Sequence, residues 1–144
     1  MGALATITSK VRGRYRGLVL SVAALVLISG CYNHGCGCIN VPVAVADEFF
    51  FQWNGEFHHH FDSVEYLWEN SLLDAYVHFE GFDFSGSVRV DIYDGLNTLI
   101  YSGEFIGFGG YFEAKTVTGL GFFNPWYVVI TSEDVSGNVT LTLD

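Results

Sequence analysis

The chain has 144 residues, and its sixteen acids outnumber its six basic residues for a formal charge of −10. Lys10, Arg12, Arg14 and Arg16 all precede the first acid, Asp47, so from Gly17 onward Arg89 and Lys115 stand alone against sixteen carboxylates, a charge of −14. A surface of that sign repels nucleic acid and anionic headgroups, which argues against a nucleic-acid partner.

In chain order, the basic cluster at 10–16 is followed by an uncharged, mostly apolar run from Gly17 to Gly30. Its length suits the apolar region of a signal peptide better than a spanning helix, which needs about 20 residues. The run ends in Ile28-Ser29-Gly30-Cys31, which resembles a bacterial lipobox: a branched apolar residue, two small residues and the cysteine that receives diacylglycerol. The resemblance implies that residues 1–30 are a cleaved lipoprotein signal peptide and that Cys31 is the lipidated N-terminus of the mature protein. It also implies three acyl chains of the palmitate kind, each adding about 0.8 kcal/mol of membrane affinity per buried methylene. The expected address is the bacterial cell envelope, anchored in the lipid bilayer. Tyr32, where inner-membrane retention would call for Asp, favours the outer membrane.

Residues 31–46 read as a tether. Asn33-His34-Gly35-Cys36-Gly37-Cys38 is rich in glycine, and Pro42 favours extended backbone around it. In an oxidising compartment Cys36 and Cys38 can form a strained local disulfide or an intermolecular one. In an extended chain His34, Cys36 and Cys38 also fall on one side, a donor set that suits copper(I) or zinc.

From Asp47 to Asp144 the pattern is one of strands. Ala75, Val77 and Phe79 alternate with Tyr76, His78 and Glu80; Val88, Val90 and Ile92 with Arg89, Asp91 and Tyr93; Val139, Leu141 and Leu143 with Thr140, Thr142 and Asp144. Period-two alternation buries one face of a strand. Turn residues separate the runs at Gly81, Ser85-Gly86, Asp94-Gly95, Gly107 to Gly110, Asn124-Pro125 and Ser136-Gly137. Seven or eight strands are expected, near 48–53, 57–68, 73–80, 87–93, 98–105, 111–117, 126–132 and 138–143. They predict an all-β fold, a two-sheet antiparallel β-sandwich of jelly-roll or immunoglobulin-like form, with Trp68, Trp126 and the phenylalanines between the sheets. The thirteen phenylalanines exceed what such a core needs. The surplus lies either beneath the loop at 106–112 or in an exposed aromatic patch near the tether, the mark of a partner or membrane contact.

Ser87-Val88-Arg89-Val90-Asp91-Ile92-Tyr93-Asp94-Gly95, then Gly119-Leu120-Gly121 with Asn124-Pro125-Trp126-Tyr127-Val128, then Ser136-Gly137-Asn138-Val139-Thr140-Leu141 resembles the small accessory domains of secreted bacterial proteins, notably the pre-peptidase C-terminal type. The resemblance spans about residues 64–144. It implies a noncatalytic module for binding or secretion.

Candidate chemistry begins at Glu56-Phe57-His58-His59-His60-Phe61-Asp62. In a straight strand Glu56, His58, His60 and Asp62 share a face, where two imidazoles and a carboxylate can hold copper or zinc. The apolar set changes parity beyond this point, since Val64, Tyr66 and Trp68 are in phase with His58 and His60; a bulge near Asp62-Ser63 would reconcile the two. Asp91, Asp94 and Asn97 offer oxygens that calcium could gather, although Asp94-Gly95 is also a hairpin signal. Glu65, Glu69, Glu80 and Asp83 could supply a carboxylate pair for a small hydrolase, but nucleophile elbow, phosphate loop, dinucleotide fingerprint and zinc-protease helix are all missing from the sequence. The expectation is a membrane-anchored, noncatalytic lipoprotein, without an obligate cofactor, whose acidic sandwich binds another envelope protein, a glycan or a surface. The alternative is a periplasmic copper- or zinc-binding lipoprotein built on His58 and His60.

Overall fold

The computed structural model describes residues 39–144. The expected signal peptide, Cys31 and the tether ligands His34, Cys36 and Cys38 lie outside the described residues. Six strands are present: β1 (Val43–Ala46), β2 (Phe51–Trp68), β3 (Tyr76–Tyr93), β4 (Leu99–Phe108), β5 (Phe112–Val117) and β6 (Trp126–Leu143). They form one sheet in the order β1-β2-β6-β3-β4, with β5 beside β4 along the same edge of β3. All pairings are antiparallel.

The three 18-residue strands are not straight. Phe51 and Trp68 sit at opposite ends of β2, which fully extended would separate them by about 56 Å, yet their ring centroids are 6.3 Å apart. β2 therefore doubles back on itself, and its partners do the same. The bends coincide with register shifts between Phe57 and Asp62 in β2 and between Phe82 and Ser87 in β3. They also coincide with left-handed backbone at His59, Asp83, Gly86, Asp134 and Gly137.

Each bend inserts extra residues, so the inward-facing parity changes once per strand. In β2 the inward set is Phe51, Trp53 and Phe57, then Val64, Tyr66 and Trp68; in β3 it is Val77 and Phe79, then Phe84, Val88, Val90 and Ile92; in β6 it is Trp126, Val128 and Ile130, then Val135, Val139, Leu141 and Leu143. Both halves of the folded sheet thus turn apolar side chains to one shared interior. Trp68 meets Trp126 edge-on at 5.7 Å, and Phe79 stacks on Phe105 at 4.3 Å with Phe84 5.3 Å away. Aromatic pairs in these geometries contribute about 0.5–1.5 kcal/mol beyond the area they bury.

The fold is all-β and antiparallel, as the alternation requires. The eight expected runs become fewer and longer strands: 73–80 with 87–93 and 126–132 with 138–143 each join across a bend, whereas 48–53 runs on into 57–68 without a break and the bend of β2 falls inside the second run. The two layers are halves of one hydrogen-bonded sheet in place of two separate sheets. Val43 to Ala46, in the stretch read as tether, pair with Asn54 to Phe51 and extend the sheet edge. Ala44 packs against the core, while Val43 and Val45 face outward.

Folding the sheet creates two unlike ends. The bend end carries residues 58–61, 83–86, 108–111 and 133–137, together with Ile39 and Asn40, which bond to Glu56 and His58. The open end, roughly 20 Å away along the strands, carries the loops at 47–50, 69–75, 94–98 and 118–125.

Candidate functional site: a histidine–glutamate cluster and an apolar loop end

The bend in β2 separates the residues of the expected histidine site. His59 has left-handed backbone, and its Nδ1 lies 2.6 Å from the Asp134 carboxylate while its amide donates to the Ser136 hydroxyl. The His58 backbone is held by the Asn40 side chain and its ring lies edge-on to His59. His60 turns partly inward to stack on Phe57 at 4.7 Å, with its Nε2 buried and unpartnered. Glu56 and Asp62 are exposed on either side. Glu56, His58, His60 and Asp62 are not among the groups of three or more metal-ligating side chains within 4.8 Å that the described residues form. The parity change inferred from Val64, Tyr66 and Trp68 is present, but the bend lies at 58–61, a few residues before the expected position, and splits the face that the histidines would have shared.

The calcium candidates are engaged elsewhere. Asp94 is buried, and its carboxylate accepts backbone amides from Leu96, Thr98 and Phe122. Those amides, Thr98 foremost, hold the Asp94 carboxyl below the usual aspartate range. Asp91 accepts from Arg89 and from the Ser102 hydroxyl, and Asn97 takes the left-handed position of the turn. The Asp91 and Asp94 side chains, with the left-handed backbone of Asn97, organise the β3–β4 turn and its flanks.

A different cluster forms on the outer face where β3 meets β5. Register places Glu80 opposite Glu113 and His78 opposite Lys115. Strand alternation points all four outward, since Val77 and Phe79 occupy the core side. His78 Nε2 lies 3.1 Å from Glu113 Oε1 and 3.7 Å from Glu80 Oε1. Lys115 Nζ reaches Glu113 Oε1 at 2.8 Å, and the Tyr111 hydroxyl donates to Glu113 at 3.0 Å and to Glu80 at 3.4 Å. The Lys115 hydrogen bond and then the Tyr111 hydroxyl bring the Glu113 carboxyl down to about 2, while Glu113 and burial push the Tyr111 phenol up to about 12. The result is an anionic, hydrogen-bonded nest beside an opening of about 260 Å³ lined by Tyr76, His78, Lys115, Thr116 and Asp144. The sequence held its signal as polar positions two apart on two strands, 78 and 80 against 113 and 115, but register cannot be read from one chain.

The open end is apolar at its tip. Leu72, Leu73, Leu96, Leu99, Leu120, Phe122 and Phe123 are each 40–66% exposed. Leu99 opens β4, and the other six come from three loops tied together through Gly121 N to Leu73 O, Gly95 N to Phe123 O, and Phe122 N to the Asp94 carboxylate. Glu48, Glu69 and Asp74 are exposed on neighbouring loops. The surplus aromatics divide similarly at the bend end: Phe84 lies under the 108–110 backbone, to which it is hydrogen-bonded, while Phe61, Phe82 and Phe108 face solvent. Comparison with protein-family models, curated proteins and solved structures finds no match to the chain.

Proposed function

We propose that the protein is a noncatalytic lipoprotein of the bacterial envelope, anchored through Cys31, whose open loop end binds another envelope component. The observation that carries this reading is the tip itself. Seven large apolar side chains, six from three hydrogen-bonded loops and Leu99 from the start of β4, stay exposed in a domain that buries nineteen other apolar residues in its core. Contiguous exposed apolar surface with a polar rim marks a contact site. The surrounding carboxylates favour a partner with an apolar centre and a basic margin. The first described residues, Ile39 and Asn40, lie at the bend end beside Glu56 and His58, so an anchor that precedes them is compatible with a loop end that faces away from its own bilayer. The resemblance of residues 64–144 to noncatalytic accessory modules supports the same reading.

Two measurements test it. The mass of the protein from its native host is expected to match a chain that begins at a diacylated, acylated Cys31; an intact, unmodified product would overturn the anchor. A photo-crosslinking residue at Leu120 or Phe122 is expected to give one discrete adduct in living cells, with none from the exposed Glu104 on β4. Equal labelling at all three positions, or none, would remove the loop end as the contact.

A further inference from the structure

We propose that His78, Glu80 and Glu113 form a binding site for a divalent first-row transition metal, zinc being the ion that fits best, and that Lys115 competes with it for Glu113. This goes beyond the adhesive reading above and does not depend on it. A tetrahedral ion with bonds near 2.0–2.1 Å holds its ligand atoms about 3.3 Å apart. His78 Nε2 lies 3.1 Å and 3.7 Å from the two glutamate oxygens, and all three ligand atoms fall within 4.8 Å of one another. Closing such a triangle needs only small side-chain rotations on a rigid ribbon, because the cross-strand register already fixes the three Cα positions.

The donor types choose among ions. Calcium and magnesium take oxygen alone, whereas an imidazole with two carboxylates suits zinc and its neighbours. The imidazole also distinguishes this group from the carboxylate pairs that sixteen acids make by chance. Three protein ligands leave one coordination position open, and of the three His78 also lines the adjoining 260 Å³ space. The Tyr111 hydroxyl, bonded to both carboxylates, is the outer partner that orients metal-bound oxygens.

Glu80 and Glu113 stand directly opposite one another, a like-charge pairing that destabilises a sheet unless a cation relieves it. Lys115, one of the two basic residues after Arg16, supplies that cation in the metal-free protein. Its side chain is 65% exposed, so a stronger cation can displace it into water without disturbing the core. The charge of −14 beyond Gly17 concentrates divalent ions around the domain.

The test uses the untagged full chain in which His34→Gln, Cys36→Ser and Cys38→Ser remove the candidate ligands of the 31–46 stretch other than Cys31. Zinc chloride is titrated calorimetrically while histidine ring signals are followed by NMR. One equivalent is expected to bind and to shift the His78 resonances, with calcium and magnesium ineffective at equal concentration. His78→Gln is expected to weaken binding by more than about tenfold and Tyr111→Phe by about tenfold or less. Lys115→Met is expected to tighten it, a gain that misfolding cannot produce. Binding that survives His78→Gln, binding lost instead in His58→Gln/His60→Gln, or a Lys115→Met protein no tighter than its parent would overturn the proposal.

Discussion

The two ends of the folded sheet hold their shape by different means. At the bend end the constraint is in the backbone itself. A Cβ on Gly86 would strike the Asp134 carbonyl, and one on Gly137 would come within 2.5 Å of the Asp83 carbonyl. The two positions interlock β3 and β6 at φ values of 87° and 102° that other residues avoid. At the open end three loops are held largely by one carboxylate, Asp94, and a few amide–carbonyl bonds. A geometry built from backbone tolerates no substitution at its contact points, whereas one built from a side chain leaves the neighbouring side chains free for a binding surface.

The largest expected effect tests the bend. Phe84 is fully buried, contacts Phe79 and Phe112, and sits under the loop whose Gly109 and Gly110 bond to its backbone. Phe84→Ala should cost about 3–5 kcal/mol in urea unfolding. Gly137→Ala comes next, at about 1–3 kcal/mol, because it adds strain at a positive φ to a contact with backbone that cannot move aside. If both lose less than about 0.5 kcal/mol, the bend is not what unites the halves.

That bend is also where the sequence was most and least legible. Alternation marks both halves of β3 and of β6, and the changed parity of Val64, Tyr66 and Trp68 points to a bulge in β2, while β1 lies in the stretch that reads as tether. Ser85-Gly86 and Ser136-Gly137 nevertheless read as turns between separate strands. Some turns and some bulges share a left-handed residue, so a glycine there announces a change of direction without saying whether the chain leaves the sheet. The same limit hid the cluster at His78. Face is encoded locally by period two, but the pairing of β3 with β5 depends on packing across more than thirty residues. The histidine run at 58–60 drew attention by composition, and its geometry was set by the bend.

Asp94 sharpens the contrast from the other end. Asp94→Asn replaces a carboxylate oxygen with an amide NH2 group, which donates and cannot accept from a backbone amide, so at neutral pH the variant should melt several degrees below the wild type, with faster hydrogen exchange at 95–98 and 122. Because the folded carboxyl is held below its ordinary value, its contribution is complete above the unfolded pKa of about 3.9 and is lost as pH falls through the lower folded value. The gap between the two proteins should therefore close in acid. A constant gap from neutral pH downward would show that shape, with no contribution from ionisation, is what the loops require.

The smallest effect on stability is the most informative for function. Leu120 and Phe122 are 66% and 54% exposed, so each keeps more than half of its surface in water when the chain is folded. Leu120→Ser with Phe122→Ser should consequently leave the unfolding free energy within about 1 kcal/mol of wild type. The same double variant should abolish the crosslinked adduct, since the apolar centre of a contact carries most of its affinity. Stability and binding then separate cleanly, which neither Phe84→Ala nor Asp94→Asn can achieve. A loss above about 1 kcal/mol would mean that the tip is covering the domain's own core, and the open end would become a lid where a contact surface is proposed.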